Sequence, residues 1–117
     1  MQPPVPAVDV READRRRSEP AEGGRRPALI VDVREPWEFD EVRAEDVMLL
    51  PMSSLPGRLA ELPEDRELLF ICRSGSRSGQ VTAYLRSQGR DDVWNVSGGM
   101  LAWEAAGLPV RRGALDP

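Results

Sequence analysis

Apolar residues in this chain fall into short continuous runs, and between the runs they recur at helical spacing. Ala28-Leu29-Ile30-Val31-Asp32-Val33 and Leu68-Leu69-Phe70-Ile71 are apolar at nearly every position, as strands buried on both faces are. Val5-Pro6-Ala7-Val8-Asp9-Val10 alternates instead and predicts a short strand, which Pro6 places at a sheet edge. Val47-Met48-Leu49-Leu50-Pro51 reads as a further strand, and Asp92-Val93-Trp94-Asn95-Val96 as the last one. Between these runs, Arg11 to Arg17 is a charged helical segment in which only Ala13 is apolar, and Ser18 to Pro27 is a polar loop. Pro36 suits the first position of a short helix that Trp37, Phe39 and Val42 would anchor to the core. Ser53 or Ser54 is placed to cap a helix through Leu55, Leu59 and Leu62. Val81, Tyr84 and Leu85 share one face of a helix that Gly89 ends, and Ser97-Gly98-Gly99 opens another over Met100 to Ala106. Strands alternating with helices predict an α/β fold with a central, mostly parallel sheet of about five strands and helices on both faces.

Composition narrows the class. A chain of 117 residues is expected to form one domain, 1–117, with a core over about 5–110 and short polar tails. No run approaches the ~20 apolar residues of a membrane span, and the opening Met1-Gln2-Pro3-Pro4 lacks the pattern of a secretory signal. The single cysteine has no internal disulfide partner, which fits a reducing cytoplasm. A net charge of −4 argues against general nucleic-acid affinity, and Arg15-Arg16-Arg17 reads as a solvated helix face among acids. All 16 cationic side chains are arginine and there is no histidine. That excludes a Cys–His dyad, a Ser–His–Asp triad and any histidine-based metal site.

The remaining chemistry converges on Cys72-Arg73-Ser74-Gly75-Ser76-Arg77-Ser78. The cysteine ends a buried strand and begins a tight loop that opens a helix. Backbone N–H groups of such a loop point inward, and the helix start adds partial positive charge that favours an anion. Arg73 and Arg77 reinforce it. A thiol held there is depressed below its free value of about 8.5, and the thiolate is the reactive form. In open α/β sheets, ligands bind beyond the carboxyl ends of the strands. Cys72, Arg34 and Gly98-Gly99 all fall at that edge, so three loops are expected to line one pocket.

The loop resembles the active-site loop of the rhodanese family of sulfurtransferases, and the resemblance runs from about Val5 to Val110. It is carried by Asp32-Val33-Arg34-Glu35-Pro36-Trp37-Glu38-Phe39, Leu50-Pro51, the Cys72–Ser78 loop, and Gly98-Gly99-Met100 with Trp103. The resemblance implies a rhodanese-like fold in which Cys72 carries a persulfide and the N–H groups of Ser74, Gly75, Ser76, Arg77 and Ser78 hold the transferred sulfur. Arg73 and Arg77 would hold a small anionic donor such as thiosulfate. The acceptor would be cyanide, a small thiol or a protein cysteine, and no metal or organic cofactor is implied; the charge and the apolar pattern already argue against a nucleic acid or membrane as partner. Asp32 and Arg34 would support the site, or form an ion pair that is structural only. The three tryptophans, Trp37, Trp94 and Trp103, read as core residues. Four residues separate Cys72 from Arg77, whereas related Cys–Arg phosphatases have a wider loop by one residue. This disfavours phosphatase or arsenate reductase chemistry. The other alternative, a non-catalytic binding module on the same fold, is opposed by the retained cysteine and arginines. One departure stands out: where the family often has Gly-His-Ile-Pro-Gly-Ala, this chain has Val42-Arg43-Ala44-Glu45-Asp46-Val47.

Overall fold

A computed structural model describes residues 4–114; Met1-Gln2-Pro3 and the last three residues lie outside the described residues. The central strand is β5, Leu68–Ile71, buried at every position. It lies in a five-stranded sheet with β1 (Ala7–Val8), β2 (Leu29–Asp32), β4 (Met48–Leu49) and β6 (Val93–Val96). The order is β1-β6-β5-β2-β4, and every pairing is parallel. β1 is an edge strand, as Pro6 required.

Side-chain alternation along the central strands splits each apolar run between two cores. Ile30, Leu69 and Ile71 face α1 (Val10–Ser18) and α5 (Gly99–Ala105), where they meet Ala13, Met100 and Trp103. Val31, Leu68, Phe70 and Cys72 face α3 (Leu55–Arg58) and α4 (Ser76–Ser87), where they meet Leu55, Val81 and Leu85. Cys72 thus belongs to the α4 side of the sheet.

Several local expectations are revised. The alternation at Val5–Val10 yields only two strand residues, because Asp9 accepts a hydrogen bond from Glu12 N (2.8 Å) and caps α1, drawing Val10 into the helix. α1 holds its charged face through pairs of Arg15 and Arg16 with Glu12, of Arg16 with Glu67 and of Arg17 with Asp14. Ser54 stands at the N-cap of α3 but its side chain makes no capping hydrogen bond, and the Ser53 hydroxyl donates to Glu35 instead (2.9 Å). The expected helix through Leu55, Leu59 and Leu62 is broken: a 3₁₀ turn (Met52–Ser54) leads into the single turn of α3, and a second 3₁₀ turn (Leu59–Glu61) follows it. Trp37 is 65% exposed and does not anchor α2 (Pro36–Glu41); Phe39 and Glu38 are the residues it buries. Tyr84 is 48% exposed because the inward face of α4 runs through Ser78, Val81, Thr82 and Leu85.

β6 is not the last strand. Val110–Arg111 (β7) pairs antiparallel with Arg43–Ala44 (β3), inside the segment where the sequence departs from the family pattern. Arg43 secures that corner by donating to Phe39 O (3.1 Å) and Gly113 O (2.7 Å). Asp46 turns the chain with φ 57°, a left-handed conformation that a short polar side chain tolerates.

Candidate active site

β5 delivers Cys72 to the C-terminal edge of the sheet, between the ends of β2 and β6. The next residues reverse direction through Gly75, whose φ of 102° is open to glycine, and enter α4 at Ser76. The carbonyls of this loop are occupied from outside. Met100 N donates to Cys72 O (2.8 Å) and Leu101 N to Arg73 O (3.1 Å), so the first turn of α5 takes the outward-facing acceptors. Gly99 makes the approach feasible: a Cβ there would lie 2.3 Å from Cys72 O and 2.6 Å from Arg73 O. With its carbonyls held outward, the loop turns its N–H groups towards the sulfur.

Gly75 N donates to Cys72 Sγ at 3.1 Å, and Ser78 Oγ lies 3.2 Å from the same atom. The thiol is buried. Burial pushes it up, but the Ser78 hydroxyl and the backbone N–H groups of Ser78, Gly75 and Ser74 outweigh burial and hold it below its ordinary value. The side chains of Ser74 and Ser76 are exposed, so these residues contribute through their backbone.

The two loop arginines differ. Arg77 is committed to Glu38 by a bidentate pair, Nη1 to Oε1 at 2.6 Å and Nη2 to Oε2 at 2.8 Å. That pair holds the Glu38 carboxyl below the usual range, against the opposing effect of its burial. Arg73 is exposed and has no carboxylate within ion-pair distance among the described residues. It lines a cavity of about 250 Å³ with Trp37, Glu41, Leu101 and Glu104.

Asp32 and Arg34 form a buried ion pair, with Arg34 Nη2 to Asp32 Oδ2 at 2.8 Å and Nε to Oδ1 at 3.0 Å. Arg34 also donates to Val42 O (2.6 Å) and Glu38 O (3.3 Å), tying the C-terminal turn of α2 to the end of β2. Most of its guanidinium donors are spent on the fold. Two further residues belong to the site. Glu38 fixes Arg77. Asn95, on β6, donates from Nδ2 to Gly75 O (3.1 Å) and faces Ser78 Oγ with Oδ1 at 2.7 Å. An asparagine inside an otherwise apolar strand was the available signal for the second.

The fold and site define a parallel α/β protein with a buried cysteine sulfur, held by loop N–H groups, at the carboxyl edge of its central strand. The family model described as Rhodanese-like domain matches residues 9–106, and the chain belongs to that family. It is 45% identical over 82 residues to a protein of Allochromatium vinosum named sulfurtransferase, covering 70% of this chain and 77% of that one. It is 42% identical over 80 residues to the putative sulfurtransferase YtwF of Bacillus subtilis, covering 68% and 77%. Among solved structures it is similar to a rhodanese-like domain protein from Staphylococcus aureus, at 33% identity and a TM-score of 0.64, covering 78% of this chain and 86% of that one.

Proposed function

We propose that this protein is a sulfurtransferase that carries sulfane sulfur on Cys72. The observation that supports this reading most directly is the environment of Cys72 Sγ: a sulfur at a strand end, held by Gly75 N–H and within reach of the Ser78 hydroxyl, with Arg73, exposed and without an ion-pair partner among the described residues, next to it in the chain. The Cys72 thiolate attacks the outer sulfur of an anionic donor such as thiosulfate. A bond forms from Sγ to that sulfur, the donor's S–S bond breaks, and its electron pair leaves with sulfite. Arg73 meets the charge on the departing anion. The N–H groups of Ser74 to Ser78 then stabilise the charge on the outer persulfide sulfur. An acceptor such as cyanide, a small thiol or a protein cysteine takes the sulfur and returns the thiolate. The chain has no second cysteine, so the acceptor comes from outside it.

Arg77 has a different part in this scheme from Arg73. Its guanidinium is neutralised by Glu38, so it braces the far end of the loop and meets a donor only by giving up that pair. The Asp32–Arg34 pair supports the site by fixing the neighbouring turn.

Intact-mass measurement after incubation with thiosulfate tests the reading. The expected result is a gain of one sulfur that a reducing thiol removes. No gain with thiosulfate or with an organic persulfide donor would favour a binding module on the same fold.

A further inference from the structure

The Ser78 hydroxyl has one proton and two acceptors within reach. Its oxygen lies 2.7 Å from Asn95 Oδ1 and 3.2 Å from Cys72 Sγ. The amide of Asn95 cannot turn over to relieve this competition. Its Nδ2 faces the carbonyl of Gly75 at 3.1 Å, and an oxygen placed there would oppose another oxygen. Oδ1 is therefore fixed as the second acceptor for the Ser78 proton.

We propose that Asn95 is a positioning residue that holds the Ser78 proton away from Cys72 unless the sulfur carries charge. In the thiol state Ser78 donates to Asn95 Oδ1, and the S–H proton is free to point at Ser78 Oγ. In the thiolate state the hydroxyl rotates to Sγ, and Oδ1 of Asn95 loses its donor. Once Sγ bears a transferred sulfur it is a neutral divalent atom and a weak acceptor. The charge has moved to the outer sulfur, and the Ser78 proton returns to Asn95. The rotation offsets part of the stabilisation that Ser78 gives the thiolate and withdraws that stabilisation when the persulfide forms. Asn95 thus tilts the site from free thiolate towards the sulfur-loaded cysteine. The charged groups around the sulfur are Arg73 and Arg77 of its own loop, Glu38 from α2 and the Asp32–Arg34 pair from β2. None of them is a hydrogen-bond partner of Asn95.

This inference draws its meaning from the sulfur-transfer reading, but its test needs no sulfur donor. The ultraviolet absorbance of the thiolate is titrated in wild type, Asn95→Leu, Ser78→Ala and the double variant, with circular dichroism to confirm folding. Asn95→Leu removes the competing acceptor, and the midpoint is expected to fall by roughly half a pH unit, the worth of part of one hydrogen bond. In the Ser78→Ala background the same change is expected to move nothing. A midpoint that rises or stays in Asn95→Leu overturns the proposal, because Asn95 would then act only by bracing Gly75. An equal shift in both backgrounds overturns it as well. If Asn95→Leu does not fold, Asn95→Ala carries the same expectations. Should wild type refuse sulfur while the titrations behave as expected, the sulfur-transfer reading falls and the role of Asn95 stands.

Discussion

Two neighbouring strand ends in this molecule solve the same problem in opposite ways. β2 and β5 pair in parallel, each buried along most of its length, and each turns at its carboxyl end into a helix. At the end of β2 the turn supplies its own anion. Asp32 accepts from the Arg34 N–H (3.0 Å) and from its guanidinium, so the donors there are satisfied from within. At the end of β5 no carboxylate enters the turn. Its carbonyls are taken by α5, its N–H groups face a sulfur, and the carboxylate that does approach, Glu38, engages Arg77 from α2. A strand end becomes an anion site where its donors are left for an outside partner, and a structural corner where they are not.

Changing the sulfur breaks the comparison most severely. Cys72→Ser is expected to reduce sulfur loading and transfer to background while circular dichroism and the unfolding midpoint stay close to wild type, because the hydroxyl fits the same space and is far less nucleophilic. Substantial thiosulfate:cyanide activity in that variant would contradict the persulfide mechanism. The corresponding change at the other strand end attacks the fold. Asp32→Ala strands the buried Arg34 charge, and urea unfolding is expected to show a loss of about 3–5 kcal/mol. A loss under ~1 kcal/mol would show that water reaches Arg34 and that the corner is not self-contained.

Much of this contrast was legible in the residues. Continuous apolar runs identified β2 and β5, and the Gly/Ser loop after the second is the one whose N–H groups turn to Cys72 Sγ. Asp32 and Arg34 were visible as a pair, but only packing shows that the carboxylate and guanidinium are spent on each other. Arg77 could not be separated from Arg73 by spacing, because Glu38 approaches from 39 positions away. Trp37 misled by size: as a bulky aromatic it suggested an anchor, yet its place in the first turn of α2 points it outward. The strand β7 leaves no mark in the sequence, because a two-residue strand carries no periodicity and its partner lies in a segment without a turn signature.

The next effect is smaller and separates the two arginines. Arg73→Ala is expected to lower kcat/KM for thiosulfate roughly tenfold to thirtyfold, the scale of one lost charge-assisted contact. Alkylation of Cys72 by a neutral reagent is expected to change much less, since Gly75 N–H, Ser78 and the start of α4 remain. Equal losses in both rates would mean that Arg73 tunes the thiol and does not anchor the donor.

The smallest expected effect concerns Glu38, the carboxylate that reaches the β5 loop from outside it. Its pairing with Arg77 holds its pKa below that of the same carboxyl in the unfolded chain, about 4.3. The stabilisation is therefore fully present above that unfolded value and is lost as the pH falls through the lower folded value. Arg77 stays protonated throughout, with its own pKa raised chiefly by Glu38, so the carboxylate alone sets the window. Wild-type stability is expected to decline as the pH drops below about 4.3, and Glu38→Gln is expected to flatten that part of the curve while lowering stability modestly at neutral pH. The same variant frees Arg77 from its pair. If Arg77 is only a brace, thiosulfate use by Glu38→Gln stays level or falls as the loop loosens. If the freed guanidinium can turn to the pocket, the KM for thiosulfate drops while alkylation by a neutral reagent is unchanged. A pH-stability curve identical to that of wild type would show that the pair contributes nothing to folding, and that the β5 loop is held by α5 and Asn95 alone.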